Sequence, residues 1–161
     1  AGDGRLLDAV VAYCEGRGLH VVGAADLRPE LVTPKGVLAG ARIEGRAGLE
    51  RARDLGARDL GQAVVRVGET LWLEEDRAGT DALLERAAEY EAATKVLFKA
   101  AKPQQDLRMD MPAWGPETVK NAAKAGVRGL VFEAGKTLAL DLDVALQDAV
   151  GLGVSIVGVS L

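Results

Sequence analysis

The amino-acid sequence predicts an α/β fold, in which helices flank a mixed β-sheet. Two observations lead to this prediction. Short apolar runs of strand length alternate with segments whose apolar residues recur at helical spacing. In addition, the pattern Gly-x-Thr-Leu-x-Leu occurs twice, at residues 68–73 and 135–140. A helical segment and an apolar strand follow each copy, so we expect two hairpin-helix-strand units, with a chance similarity of two turns as the alternative.

The first part of the chain is expected to alternate between helices and short connecting elements. Apolar spacing predicts a helix over residues 6–14, and an apolar run predicts a strand over 20–24. A short helix is predicted over 26–32. Residues 33–36, Thr-Pro-Lys-Gly, have the composition of a turn, and a further amphipathic helix is predicted over 48–55.

The first predicted unit begins with a β-hairpin. Residues 65–73 alternate between apolar and polar on both sides of a turn that contains Gly68. A helix over 81–91 and a strand over 95–100 complete the unit.

The second predicted unit repeats this order. It comprises a hairpin over residues 132–140, a helix over 143–150 and a strand over 154–159. Between the units, a helix is expected to begin at Pro116 and to end at Gly126, because proline suits the first helical position and glycine the position after the last.

Length and composition fit one globular domain and exclude several functions. The 161 residues are 48% apolar and 27% charged. Single Cys14 and His20 residues cannot form an internal disulfide or a paired histidine metal site, and we expect both to pack in the core. A net charge of −4 and 4% aromatic residues argue against nucleic-acid binding. Without a recognisable signal peptide or an apolar stretch of about 18 residues, we expect a cytoplasmic protein.

Residues 99–112 carry the highest density of reactive side chains. Loops of this length are uncommon unless they are functional. If the chain is extended here, side chains alternate with period two, and Asp106, Arg108 and Asp110 share one face. The alternative is a solvated strand whose charges pair with one another.

The residue types of this segment suit a magnesium-assisted phosphoryl site. Carboxylates such as Asp106 and Asp110 hold the hard cation, while Lys102 and Arg108 can neutralise phosphate oxygens. A carboxylate can instead accept the proton of an attacking water.

A second candidate anion site lies at the start of the predicted helix that follows Gly79. The simpler interpretation is that Thr80 or Asp81 caps the helix. The same helix N-terminus could receive a phosphate, since its N–H groups and dipole point outward.

Several of these residues belong to one longer pattern, which extends over residues 2–158. Its motifs are, in chain order, Asp59-Leu60-Gly61-Gln62-Ala63-Val64-Val65, then Gly79-Thr80-Asp81-Ala82, then Lys99-x-x-Lys102-Pro103-x-Gln105-Asp106-x-Arg108-x-Asp110-x-Pro112-x-x-Gly115-Pro116-x-Thr118, and finally Glu133-Ala134-Gly135. The pattern resembles the C-terminal domain of LpxI-type UDP-2,3-diacylglucosamine pyrophosphatases.

The resemblance implies an enzyme of lipid A biosynthesis. Its reaction would be hydrolysis of the pyrophosphate bond of UDP-2,3-diacylglucosamine to UMP and 2,3-diacylglucosamine 1-phosphate, with Mg²⁺ as cofactor. It further implies a homodimer, and a Rossmann-like N-terminal domain that is absent from residues 1–161 and completes the active site. We therefore expect the isolated domain to be inactive or weakly active.

The resemblance also implies roles for individual residues. Asp110 matches the acidic position of the Arg-x-Asp-x-Pro motif and is the first candidate for the catalytic carboxylate; Asp106 is the second, and both are candidate Mg²⁺ ligands. Lys102 and Arg108 would steady pyrophosphate oxygens. The remaining residues that would line the substrate pocket are Lys99, Thr80, Asp81 and Gln62.

The chain departs from the family's usual residues at five positions that are expected near this pocket, Gly4, Ala78, Ala101, Gln104 and Ala113. These departures leave open a second function, a non-catalytic nucleotide- or phosphosugar-binding module that has kept the fold. A third, a purely structural dimerisation domain, predicts no binding of phosphate ligands.

Overall fold

The structure is a computed structural model that describes residues 4–161. Six strands form one mixed sheet and two short strands form another. The strands are β1 (Gly36–Ala39), β2 (Ala63–Val67), β3 (Leu71–Glu74), β4 (Lys95–Lys99), β5 (Ala113–Trp114), β6 (Gly129–Glu133), β7 (Leu138–Ala139) and β8 (Ser155–Val159).

The large sheet has the strand order β1-β8-β6-β4-β2-β3. Its three central strands, β4, β6 and β8, run parallel, whereas β1 and β2 run antiparallel to their inner neighbours. Every residue of β4 and β6 is buried. Both strands are mainly apolar because helices cover both faces of the sheet.

Helices cover the two faces of the sheet unequally. They are α1 (Gly4–Glu15), α2 (Ala24–Leu27), α3 (Arg46–Ala57), α4 (Gly79–Ala88), α5 (Pro116–Lys124) and α6 (Leu142–Leu152), with a 3-10 turn at Pro29–Leu31. On one face, α3 packs Leu49 and Leu55 against Phe98 of β4. On the other, α4, α5 and α6 bury side chains such as Leu83, Val119 and Ala145.

This architecture confirms the predicted α/β class with a mixed sheet and flanking helices. The helices predicted over residues 6–14, 48–55 and 143–150 are present as α1, α3 and α6. The first hairpin, β2 and β3, is also confirmed, with Val65 paired to Leu73.

The second predicted hairpin is wrong. β6 is an inner strand whose two edges are occupied by β4 and β8, so it has no edge left for a hairpin partner. Instead, β7 pairs in parallel with β5, and Leu138 forms an isolated bridge with Val32.

The predicted strand over residues 20–24 and the predicted core position of His20 are also wrong. Residues 19–23 are irregular rather than a strand, and His20 is exposed, because this segment pairs with no strand of residues 4–161. The predicted turn at 33–36 leads directly into the edge strand β1, which pairs with β8. Cys14 is only half-buried.

The segment between β4 and β5 is not extended, contrary to the expectation for residues 99–112. The N–H groups of Met109 and Asp110 both donate to the carbonyl oxygen of Asp106. The carboxylate of Asp106 also accepts the N–H of Arg108, so a local turn replaces the expected alternation.

Within residues 4–161, no helix combines the length and apolarity needed to cross a bilayer.

Candidate functional site

The candidate site lies where the carboxyl ends of β3, β4 and β6 meet one edge of the sheet. Because β2 is antiparallel to both of its neighbours, its first residue, Ala63, lies opposite Lys99 of β4, and Val64 lies opposite Glu74 of β3. Gln62 and Glu75 therefore lie at the same edge as Lys99. Crevices at the carboxyl ends of parallel strands are the usual ligand sites of open α/β sheets.

Glu75 is a buried carboxylate at this edge, with 6% exposure. Its Oε2 accepts the N–H groups of Gln62 at 2.5 Å and of Ala63 at 3.1 Å. Its Oε1 accepts the hydroxyl of Thr80 at 2.6 Å. Three donors thus compensate the carboxylate for its loss of water.

The predicted capping role of Thr80 or Asp81 is wrong. Helix α4 begins at Gly79, and its N-cap residue is Ala78 rather than Thr80 or Asp81. Thr80 lies inside the helix and donates to Glu75, while Oδ1 of Asp81 accepts an N–H of Asn121 at 3.1 Å.

Lys99 is the buried cation of the site, with 7% exposure. Its Nζ donates to Oγ1 of Thr80 at 3.2 Å and to the carbonyl oxygen of Ala113 at 3.1 Å. Burial lowers the pKa of Lys99 below its usual range, because the charged form loses water. The nearby carboxylates of Glu75, Asp81 and Asp110 oppose that shift.

Lys102 is held by a residue that is distant in sequence. Its Nζ lies 2.7 Å from Oδ1 of Asp59, and this contact lowers the pKa of the Asp59 carboxyl. Asp59 follows α3, and within the last turn of that helix the carbonyl oxygen of Gly56 accepts an N–H of Gln104 at 2.9 Å. The first half of the loop therefore docks on the C-terminal end of α3.

Arg108 bridges the second half of the loop to α1. Its Nη2 lies 2.7 Å from Oδ2 of Asp106, and its Nη1 lies 2.7 Å from Oε1 of Glu15. Hydrogen bonds from Arg108 lower the pKa of Asp106, and those carboxylates raise the pKa of Arg108. Both oxygens of the Asp106 carboxylate accept from this guanidinium.

Asp110 is the more open of the two loop aspartates. Its side chain is exposed, and its Oδ2 accepts an N–H of Gln105. Gln62 offers a further acceptor, since its Oε1 is buried and makes no hydrogen bond within residues 4–161.

The structure thus brings together Gln62, Thr80 and Lys99, with Asp81 and Asp110 within electrostatic range of Lys99. Lys102, Arg108 and Asp106 lie in the adjoining loop, where each is already engaged in an ion pair.

Two buried glutamates of the site were not predicted from the sequence. Glu75 is the first. Glu133, with 1% exposure, accepts the N–H of Ala101 at 3.0 Å and the Nζ of Lys136 at 2.9 Å, so it fixes the first residues of the loop. An acidic residue at the end of a strand, as Glu133 is in β6, or directly after it, as Glu75 is after β3, is the sequence signal that could have identified both.

The donor set allows a limited role for Mg²⁺. Within the described residues, no three His, Cys, Asp or Glu side chains are grouped to hold a metal ion. Magnesium nevertheless commonly uses one or two protein carboxylates together with substrate phosphates and water. Asp110 fits that arrangement. Asp106 fits it only if its ion pair with Arg108 is broken.

Fold and site together define a class of protein: an α/β domain with a buried lysine and several carboxylates at the carboxyl ends of its parallel strands, where open α/β sheets usually bind ligands. The particular family follows from comparison with known proteins. The chain belongs to the LpxI C-terminal domain family, which it matches over residues 32–157. The resemblance inferred from the motifs is confirmed.

A relative with an assigned name extends this comparison. The chain is 34% identical, over an alignment of 172 positions, to the UDP-2,3-diacylglucosamine pyrophosphatase LpxI of Caulobacter vibrioides. The alignment covers 98% of this chain and 61% of the relative. The chain therefore spans about three fifths of the length of the relative it matches.

Proposed function

We propose that this chain forms the catalytic C-terminal part of a UDP-2,3-diacylglucosamine pyrophosphatase. The enzyme would hydrolyse its substrate to UMP and 2,3-diacylglucosamine 1-phosphate in lipid A biosynthesis. Membership of the LpxI C-terminal domain family carries the proposal, together with a relative named for that activity whose alignment covers 98% of the chain. A Rossmann-like N-terminal domain would complete the site, and the enzyme would act as a cytoplasmic homodimer with at most peripheral membrane contact.

The charges at the carboxyl edge of the sheet suit a pyrophosphate substrate. Lys99 would donate to a phosphate oxygen, and Gln62, Thr80 and Asp81 would line the pocket around it. Lys102 and Arg108 would add their positive charge once the substrate draws them from their present carboxylate partners. Lys102 and Arg108 would thus be paired with a carboxylate before the substrate binds and with a phosphate oxygen afterwards.

Asp110 is the candidate for the carboxylate that acts on the attacking water. It would accept one proton as the water oxygen bonds to phosphorus and the bond from phosphorus to the bridging oxygen breaks. Asp106 is the second candidate, and its contact with Arg108 favours a role in orienting that guanidinium. Mg²⁺ bound by Asp110 and the substrate would neutralise charge that develops on the phosphate oxygens.

The activity is tested by incubating UDP-2,3-diacylglucosamine with the two-domain enzyme and, separately, with the 161-residue chain. We expect release of UMP by the two-domain enzyme, dependent on added Mg²⁺ and abolished by a chelator, and weak or no release by the chain alone. Binding of the substrate without release in the two-domain protein would instead support a non-catalytic module.

The role of Asp110 is tested with Asp110→Asn and Asp110→Ala in the two-domain enzyme. Loss of a general base predicts a decrease in kcat of about 10²- to 10⁴-fold. Asp143→Asn, which changes an exposed aspartate in the first turn of α6, is the control and should leave kcat near wild type. Wild-type turnover by both Asp110 variants would remove this residue from the mechanism.

A further inference from the structure

Glu75 has no role in the mechanism above, although it is the carboxylate most closely connected to Lys99. Burying a carboxylate is unfavourable unless donors replace its water. Here the N–H groups of Gln62 and Ala63 and the hydroxyl of Thr80 do so. Glu75 therefore keeps its contacts on both sides, to the start of β2 and to α4.

The hydroxyl of Thr80 connects Glu75 to Lys99. A threonine hydroxyl has a single proton, and Thr80 donates it to Oε1 of Glu75 at 2.6 Å. The lone pairs of the hydroxyl oxygen then accept hydrogen bonds from other groups, and Nζ of Lys99 donates one of these at 3.2 Å. The orientation of the Thr80 hydroxyl, and with it the position of the ammonium group, thus depends on Glu75.

The remaining contacts of Lys99 define a direction for a ligand. An ammonium group has three N–H bonds. Among residues 4–161, two acceptors bind Nζ, namely Oγ1 of Thr80 and the carbonyl oxygen of Ala113. One N–H bond is left for an anionic group outside the described protein atoms.

We propose that Glu75 is a positioning residue, which acts through Thr80 to aim the remaining N–H bond of Lys99 at an oxygen of the substrate's pyrophosphate. The identity of that anion rests on the proposed function, whereas the positioning rests on the contacts among the three side chains.

The neighbouring Glu74 offers a matched control. Its carboxylate lies on the opposite side of the chain, 3.0 Å from Nη2 of Arg51 and 3.4 Å from Nη2 of Arg58, and its side chain is 34% exposed. Glu74→Gln therefore removes the same charge one residue away without touching Thr80 or Lys99.

The first experiment compares Glu75→Gln with Glu74→Gln in the two-domain enzyme. Removal of a side chain that orients a ligand-binding group typically costs about 10- to 100-fold, and we expect a decrease of that size in kcat/KM for Glu75→Gln only. We also expect the alkaline limb of the pH profile to move to lower pH. Burial lowers the pKa of Lys99, and loss of Glu75 removes one of the three opposing carboxylates, leaving Asp81 and Asp110.

Glu75→Asp distinguishes positioning from general support of the fold. This variant keeps the negative charge, so the alkaline limb should return toward the wild-type pH, while its shorter side chain leaves kcat/KM reduced. In a double-mutant cycle, Glu75→Asp should add little to the defect of Thr80→Val, because the two act as one unit. The cycle remains informative if Glu75→Gln does not fold.

A measurement without substrate separates this proposal from the proposed function. The titration of Lys99 can be followed by NMR of ¹³Cε-labelled lysine, with Lys99→Met to assign the signal. A lower pKa of Lys99 in Glu75→Gln than in Glu74→Gln would show that Glu75 acts on Lys99 even if no pyrophosphate is hydrolysed. A Lys99 signal that is displaced in Glu75→Asp, which keeps the charge, would support the positioning role. Equal titration curves, with equal kcat/KM and additive effects in the cycle, would overturn it.

Discussion

Three buried ionisable side chains, Glu75, Lys99 and Glu133, lie at the carboxyl edge of the sheet. An isolated buried charge destabilises a fold, and natural sequences retain such residues mainly where they are paired or functional. All three are hydrogen-bonded to backbone groups of neighbouring segments: Glu75 to Ala63, Lys99 to Ala113 and Glu133 to Ala101. These side chains therefore join the segments that carry the site.

The ion pair between Asp106 and Arg108 predicts a pH-dependent contribution to stability. The pKa of Asp106 is lower in the folded protein than its usual value of about 3.9. Its contribution is therefore fully present above that usual value and is lost as the pH falls through the lowered pKa. We expect the difference in Tm between wild type and Asp106→Asn to be constant near neutral pH and to vanish in strong acid.

Thermal unfolding followed by circular dichroism between pH 2 and 7 measures this difference. Asp143→Asn provides the comparison for the loss of one exposed carboxylate. A difference for Asp106→Asn that persists unchanged at the acid end would contradict the assigned ion pair.

The sequence predicts the residue types of the site better than their partners. Lys99 and Gln62 flank neighbouring strands, so their proximity follows once the strands are placed. The contact between Lys102 and Asp59 joins residues 43 positions apart and depends on how the loop docks on α3. Local spacing contains no information on that docking. The turn that replaces the expected extended segment is local, because the oxygens of Asp106 accept N–H groups from the residues that follow it, but a period-two pattern does not reveal it.

At the scale of elements, prediction succeeds where the local pattern and the place in the sheet agree. The first hairpin forms because β2 has an edge available for β3, which ends the sheet. The similar sequence around Gly135 follows the inner strand β6, where both edges are occupied. The same pattern therefore yields two structures, and strand order, which no local motif encodes, decides between them.

The surroundings of two helical glycines, Gly48 in α3 and Gly151 in α6, predict that their replacement by alanine has opposite effects on the free energy of unfolding. A Cβ on Gly48 would lie 2.2 Å from Cδ1 of the buried Phe98, whereas one on Gly151 of α6 would meet nothing within 4 Å. Gly48→Ala should destabilise the protein by about 1–3 kcal/mol through overpacking. Gly151→Ala should stabilise it by up to about 1 kcal/mol, the usual gain in a helix.

Both variants can be measured by urea unfolding of the 161-residue chain. A stabilising Gly48→Ala would show that α3 does not approach β4 as closely as described. A destabilising Gly151→Ala would contradict the open environment of that position.

Lys95 connects the ends of two helices, and its removal is expected to destabilise the fold. Its buried Nζ donates to the carbonyl oxygens of Ala87 in α4 at 2.8 Å and of Ala125 after α5 at 3.0 Å. Positive charge is favourable at helix C-termini, and hydrogen bonds to charged groups contribute about 1.5–3 kcal/mol. We therefore expect Lys95→Met to reduce the free energy of unfolding by about 2 kcal/mol.

The control for this variant is Lys124→Met, which removes an exposed lysine from the last turn of α5. Urea unfolding should show a much smaller effect for the control. Equal effects of the two substitutions would mean that the buried contacts of Lys95 contribute no more than the helix dipole does.

At the scale of the whole molecule, the site is assembled from segments that are far apart in the sequence. Gln62 precedes β2, Glu75 follows β3, and the loop that begins after β4 contacts both α1 and α3. The parallel strands at the centre bring these segments to one edge. The stability of the site thus depends on the buried strands, whereas α1 contributes through the surface contact between Glu15 and Arg108.

This difference predicts the order of amide hydrogen exchange in the 161-residue chain. All residues of β4 and β6 are buried, while Val11 is the only buried side chain among those described in α1. Amides of β4 and β6 should exchange only by global unfolding, and those of α1 by local opening. Because a partly exposed ion pair contributes at most about 1 kcal/mol, the contact of Arg108 with Glu15 cannot raise the protection of α1 to that of the strands. Mass spectrometry of exchanged peptides provides the comparison, and protection of α1 equal to that of β4 would show that the helix unfolds together with the sheet.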